Sequence, residues 1–574
     1  MLAVLVLAHA TVAVAGIREI AFDAASCAAG KTLFTQLPPG VTGIVVQNTY
    51  DDPQMWGKRY REYMGGAMGS GIAVGDYDGD GKVDLFVSTK TKPGRLFRNL
   101  GHWKFADVTE RAGLSENDSV LSAGLGWLKG QLGSESPSIW HQGATFADVD
   151  NDGRPDLYVC RNNAPNLLYM NNGDGTFREE AAERGLALVD GSVVGAFCDY
   201  DRDGRLDVFV LTNQVNGTEP SGRADHLFHN DGTGHFTETT VQAGIKGGTF
   251  GHSATWFDYD HDGWPDLYIA NDFGGPDHLY RNNHDGTFTD VLDAVVPHTS
   301  YSSMGADTAD LNNDGYPDLF VADMATTNRE QDRRGLAASR ESMLLMDLNG
   351  THAPQYMRNS LLLNTGRGVF QEAACWAGIA ATGWTWSVLF EDFDNDGWVD
   401  LHVTNGMVRE ANNSDILNRM MQAESDAGRI RTMKNTPVLN EPHLAYRNRN
   451  GEGFDNVSAA WGLNETGVSF GAATGDFDND GDLDLVYLNY DGGVSVFRND
   501  VANQHRIQVR LRGKRSNRFG VGAVIRIESE AGPQMRTLTV SRGYASGSEL
   551  VAHFGLGRDL IVKRLSVEWP SGAT

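Results

Sequence analysis

The stretch Asp476-Phe477-Asp478-Asn479-Asp480-Gly481-Asp482-Leu483-Asp484 sets carboxylates at alternate positions around a glycine. The same nine-residue pattern, DxDxDGxxD, starts again at Asp76, Asp148, Asp199, Asp258, Asp310 and Asp392, and only the fifth copy departs from it, with Asn312 for the second Asp. An apolar run follows each copy, as in Leu85-Phe86-Val87 and Leu157-Tyr158-Val159, so the loop belongs to a repeated β unit. Successive copies lie 72, 51, 59, 52, 82 and 84 residues apart, room each time for a four-stranded sheet and its turns. Periods of this size are those of propeller blades. The expected fold is therefore all-β: a seven-bladed β-propeller with calcium loops over residues 30–500, and a small C-terminal β-rich domain over 503–574.

Working outward from the loop, each unit continues with a strand ending in Asn, such as Leu96-Phe97-Arg98-Asn99 or Leu279-Tyr280-Arg281-Asn282. A Gly-rich turn and a further strand follow, as at Asp285-Gly286-Thr287-Phe288, the Asp-Gly dipeptide being a strong hairpin signal. The unit after Asp484 lacks its own last strand, and the segment from Phe34-Thr35-Gln36-Leu37 to Gly43-Ile44 resembles one moved to the N-terminus. Pairing of that segment with Val494 to Asn499 would close the ring and remove its exposed edges. Five residues before each loop stands a small residue, Gly71, Gly143, Ser253, Gly305, Ser387 or Gly471, with Gly195 one place later in the remaining copy. A crowded centre where seven strands converge calls for such residues.

Composition narrows the function. A formal net charge of −27 over 574 residues excludes a nucleic-acid-binding class, which needs Lys and Arg to displace phosphate counterions. The acidity is local: the loops hold twenty-seven carboxylates at positions 1, 3, 5 and 9, four in each of six loops and three in the fifth. Residues 1–15 are apolar, end in Ala13-Val14-Ala15 and are too short to span a bilayer, so they read as a signal peptide, a buried strand being the alternative. The expected location is secreted, periplasmic or cell-surface, with no transmembrane segment. Four Cys (Cys27, Cys160, Cys198, Cys375) show no zinc spacing and leave disulfides undecided.

Ca²⁺ takes six to eight oxygens, and three Asp at alternate positions around a Gly turn can point at one centre, with a fourth carboxylate from position 9. The expected ligands are Asp76, Asp78, Asp80 and Asp84; Asp148, Asp150, Asp152 and Asp156; Asp199, Asp201, Asp203 and Asp207; Asp258, Asp260, Asp262 and Asp266; Asp310, Asn312, Asp314 and Asp318; Asp392, Asp394, Asp396 and Asp400; and Asp476, Asp478, Asp480 and Asp484. Plain Asx turns are the bland alternative. Up to seven ions would raise the net charge to about −13 and would couple metal to local folding.

Catalytic signatures are scarce. Gly467-Val468-Ser469-Phe470-Gly471 matches GxSxG, but it precedes a strand instead of opening a helix, so it reads as a decoy. Trp384 and Trp386 before the sixth loop suit core packing or, alternatively, a platform for sugars. Polar residues beyond the loop strands (Asn162, Asn213, Asn271, Asp272, Asp323, Asn405, Asn489) suit strand-end capping or a ring around a pore. Insertions at about 115–141, 325–357 and 407–443 all fall on the face away from the loops, which marks that face for partners.

Residues from about 70 to 500 resemble FG-GAP or VCBS-type repeats, the calcium-loop blades of the integrin α-chain propeller, with Phe470-Gly471-Ala472-Ala473 nearest to the FG-GAP core. Asn517-Arg518-Phe519-Gly520-Val521-Gly522, His553-Phe554-Gly555-Leu556-Gly557 and Trp569-Pro570-Ser571-Gly572 resemble an ASPIC/UnbV domain. The pairing is similar to the cartilage acidic protein family. It implies an extracellular, calcium-binding propeller and carries no catalytic residues. The expected function is a non-catalytic binding or adhesion module for an extracellular protein or glycan. The alternative is a secreted enzyme acting on polysaccharide or another polymer through the face opposite the loops.

Overall fold

A computed structural model describes residues 17–23, 30–116, 139–213, 224–246, 250–272, 275–335 and 353–573. The segment read as a signal peptide, Cys27, and most of the insertions at 115–141 and 325–357 lie outside these residues. The chain is all-β, 38% strand against 11% helix.

Each Asp loop joins the first two strands of a four-stranded antiparallel sheet. In the first sheet these are Ile72–Gly75, Asp84–Val87, Arg95–Asn99 and Phe105–Asp107. The second and third share a ladder between Val189–Gly191 and Asn162–Pro165. The last sheet runs Ser469–Gly475, Asp484–Asn489 and Val494–Asn499, then takes Phe34–Leu37 from the other end of the chain. Phe34 pairs with Asn499 and Leu37 with Val496, so the N-terminal strand pairs with the segment expected for it.

Neighbouring sheets are held by apolar side chains between them. Phe86 and Leu96 pack with Phe146 and Leu157 between the first and second sheets. Phe320 and Leu361 pack with Phe390 and Leu401 between the fifth and sixth. Val74 and Leu85 pack with Val486 and Val496 between the first and the last. The first strands are buried on both faces, which explains runs such as Ser469–Gly475 with no polar alternation.

The central axis is filled. From one side enters Tyr50 to Met68, whose Met55, Tyr63 and Met68 pack with Trp140, Trp386 and Phe470. From the loop side comes the hairpin of Ser541–Arg542 and Ser546–Gly547, which adds to the first strand of the first sheet and places Tyr544 in the same cluster. This refines the reason for the small residues. A Cβ on Gly71 would lie 1.6 Å from the Ala545 carbonyl oxygen, and one on Gly471 would lie 2.4 Å from Ser546 Oγ. Ser253 Oγ donates to Gly543 O at 2.9 Å, and Gly195 O accepts from Ser541 Oγ at 2.8 Å. At Gly305 the neighbour is another first strand, Trp386 O at 2.1 Å from the added Cβ. Room is left chiefly for the hairpin.

The remaining C-terminal residues form a separate apolar core of Leu511, Ile525, Ile527, Leu538, Phe554 and Leu556. Strand Val524–Glu528 runs between Pro533–Thr537 and Arg564–Glu568, while His505–Val509 pairs with Ala552–Gly557. Leu538 to Val540 links Pro533–Thr537 to the axial hairpin.

Candidate functional site

Within each loop the carboxylates do unequal work. The ninth residue is a strut: Asp84 accepts from Tyr77 N and Asn99 N at 3.2 and 2.7 Å, and Asp484 from Phe477 N and Asn499 N at 2.9 and 2.8 Å. The same pair of bonds recurs at Asp156, Asp207, Asp266, Asp318 and Asp400. The first residue accepts from the loop glycine, as Asp76 does from Gly81 N at 2.9 Å. The fifth closes an Asx turn, as Asp80 does with Lys82 N at 3.0 Å.

The third residue is different. In three loops its Oδ1 is buried without a hydrogen-bond partner: Asp150, Asp260 and Asp394. Asp199 and Asp476, at the first position, also leave a buried oxygen unpaired. Carboxylates from positions 1, 3 and 9 converge at Asp76, Asp78 and Asp84 and at Asp148, Asp150 and Asp156, their oxygens within 4.8 Å of one another. In the third loop His229 joins Asp201 and Asp207. Burial first, and then the neighbouring charges, push Asp148 up to about 7 and Asp199 and Asp476 up to about 8. Crowded, half-satisfied acids of this kind fit a divalent oxygen-seeking cation. The Asx turns and the convergence are two uses of one loop.

The third strand supplies a counter-charge to the third acid in some loops and not in others. Arg98 Nε lies 2.5 Å from Asp78, Arg447 Nε 2.6 Å from Asp394 and His229 Nδ1 3.3 Å from Asp201, whereas Met170 and Leu363 occupy the equivalent strand positions in the second and fifth units.

The Asn that ends each third strand, quoted from the sequence without a role, proves to be a clasp between units. Asn171 Nδ2 donates to Tyr77 O in the preceding loop at 2.7 Å, and Asn230, Asn282, Asn364, Asn448 and Asn499 repeat the contact around the ring. Asn99 of the first unit makes the same contact with the last loop, donating to Phe477 O at 2.8 Å. Its recurrence in every unit was the signal available in the sequence.

The C-terminal domain sits on these loops. Gly555 N donates to Asp392 Oδ2 at 3.0 Å, Gln508 Nε2 to Asp476 Oδ2 at 3.0 Å, and Arg518 N to Asn151 Oδ1 at 2.7 Å. Arg542, half-buried, anchors the axial hairpin on the buried Asp307, 2.7 Å away, and on the buried Glu391.

The other sequence candidates are structural. Asn162, Asn213, Asn271, Asp272, Asp323, Asn405 and Asn489 do not rim a pore, because the axis is filled. Asp323 is buried and accepts from Tyr301 N and Ser302 N at 3.0 and 3.2 Å. Asn405 Nδ2 caps Thr382 O and Pro442 O, both at 2.7 Å. Ser469, of the GxSxG match, does meet a histidine, with Oγ 2.9 Å from His443 Nε2. His443 Nδ1, however, accepts from Asn405 N at 3.0 Å, so the proton stands on Nε2 and the ring cannot act as a base toward Ser469. Trp386 is axial core, its indole donating to Gly406 O at 2.6 Å. Cys160 and Cys198 are buried free thiols, and Cys375 is a free exposed one.

Residues 148–210, 215–269 and 258–321 match the FG-GAP-like repeat model, and residues 513–574 match the ASPIC and UnbV model. The chain carries FG-GAP-like repeats and an ASPIC and UnbV domain. It is 24% identical to cartilage acidic protein 1 of Mus musculus over 531 residues, covering 88% of this chain and 70% of the relative. To integrin alpha-IIb of Homo sapiens it is 28% identical over 272 residues, 45% of this chain and 20% of the integrin. Among solved structures, BBS1N in complex with ARL6DN aligns over 82% of this chain and 98% of its own at 10% identity and a TM-score of 0.37, too loose to carry an argument. No helix among the described residues is long and apolar enough to cross a membrane.

Proposed function

We propose that the seven sheets are the blades of a closed, calcium-bound propeller, and that the protein is an exported, non-catalytic binding or adhesion module for an extracellular protein or glycan. The ions would sit on the side-chain oxygens of positions 1, 3 and 5, joined in the first three loops by the ninth Asp, which in every loop holds the cradle in shape. Their chemistry there is charge neutralisation, which lets buried acids pack without repulsion.

One observation carries the reading: the molecule has two unlike faces. The C-terminal domain lies on the Asp loops, whereas the opposite face presents Arg329–Arg334, Ser414–Met421 and Asp426–Lys434, three helices that interrupt the repeat. The relatives, integrin alpha-IIb and cartilage acidic protein 1, favour an adhesion-type role. The test is binding by variants of that face. Removing all of 407–443 would be uninformative, since Met407, Val408, Ile416, Met433 and Glu441 are buried. Single substitutions such as Met421→Glu, at a side chain 68% exposed, are suitable. Loss of partner binding with an unchanged melting temperature supports the reading, and full retention across such variants contradicts it.

A further inference from the structure

The two insertions that interrupt the fifth and sixth units touch each other. Arg334 pairs with Glu410 at 3.0 Å, and Gly335 bridges to Asn413. Between them lies a pocket walled by Met324, Ala325, Met357 and Leu439, with Trp384 and Glu441 among its lining residues. Arg334 and Glu410 are partly exposed and stand at its mouth, while Trp384 and Glu441 are only 6% and 4% exposed and form its floor.

The floor is built and incompletely satisfied. Trp384 N donates to Glu441 Oε2 at 2.6 Å, fixing the carboxylate on the backbone of the residue that carries the indole. Gly383, at φ 102, lets the chain pass: a Cβ there would lie 3.1 Å from the same oxygen. Yet the indole N–H of Trp384 is buried with no hydrogen-bond partner. A buried donor of this kind is costly unless something accepts from it.

The pair selects its occupant by chemistry. A carboxylate or phosphate could accept from the indole but would face Glu441. An ammonium could satisfy Glu441 but would leave the indole unpaired. A hydroxyl does both, accepting from Trp384 Nε1 and donating to Glu441. The methionine and leucine walls suit the apolar face of a ring, and a recessed floor admits a chain end more readily than a flat protein surface. We propose that this pocket holds the terminal pyranose of an extracellular glycan, with one ring hydroxyl bridging Trp384 and Glu441. The proposal rests on the reading of this face as the recognising one.

The test is a printed glycan array probed in millimolar Ca²⁺ with the wild-type chain, Trp384→Phe, Glu441→Gln and Met421→Glu, with melting curves for all four. Trp384→Phe removes the N–H and keeps an aromatic ring, and Glu441→Gln keeps the shape; where either fails to fold, the other is read. The expected result is wild-type binding to a set of glycans that weakens about tenfold or more in each pocket variant. Absence of any glycan binding by the wild type overturns the proposal. Binding kept by both pocket variants but lost in Met421→Glu overturns the pocket and leaves the face. Binding kept by all three variants overturns both.

Discussion

On the face that carries the Asp loops, seven turns repeat the same bonds: a ninth-position strut, an Asx turn, and an Asn clasp on the loop before. On the opposite face the strand ends still share one bond, a side-chain cap on the N–H of Arg161, Thr212, Asn271, Asp323 or Asn405, but the described insertions beyond them do not repeat. Trp384 belongs to one unit, Arg334 to one insertion and Glu441 to another, and together they leave a buried donor unpaired. The loop face also has its cover, because Arg506, Gln508 and Gly555 of the C-terminal domain bond to loop groups. Repetition there serves architecture, and irregularity on the other side leaves chemistry open.

The contrast can be broken most severely at the anchor of the C-terminal domain. Replacing Arg542 with Leu strands the buried Asp307 and Glu391, and denaturant melts should show a loss of about 3–5 kcal/mol. The next effect separates two acids in a single loop. Asp484→Ala removes a strut that accepts two backbone N–H groups and should cost about 3 kcal/mol in calcium and in EGTA alike. Asp478→Asn acts on the acid at the third position, which is proposed to face the ion. It should cost about 1 kcal/mol in calcium and nothing in EGTA, where it relieves repulsion among neighbouring carboxylates. Asn99→Ala opens the clasp that closes the ring and leaves Phe477 O without that donor, a loss of about 2 kcal/mol by the same melts. Smallest of all, Met421→Glu on the irregular face should stay within about 0.5 kcal/mol of wild type.

The repeated half of the molecule was legible in the sequence because each unit states its rule seven times. The loop spacing, the transferred strand Phe34–Leu37 and the small axial residues all follow from comparing copies. The Asn clasp was visible as a recurrence, but its meaning needed the neighbouring loop carbonyl, which no local pattern reveals. Single-copy features were illegible for the same reason. The Tyr50 to Met68 plug has no counterpart elsewhere in the chain, so a pore rimmed by Asn162 and Asp323 stayed open as the alternative to strand-end capping. Leu538 to Val540 alternates like a strand because one side of it is buried, although it only leads into the hairpin. At the pocket, Trp384 was noticed beside Trp386, but its unpaired N–H and its neighbour Glu441, fifty-seven residues away, are facts of three-dimensional packing.

The claim at the centre of this account is that the Asp loops are cation-held scaffold. It is tested most directly by calorimetric melting of the intact chain in EGTA and in millimolar Ca²⁺. With extracellular-type sites near ~10⁻⁴ M, each filled loop adds about 1.4 kcal/mol, so the melting temperature should rise by several degrees and keep rising with calcium concentration. Superimposable melting curves in the two buffers would contradict it.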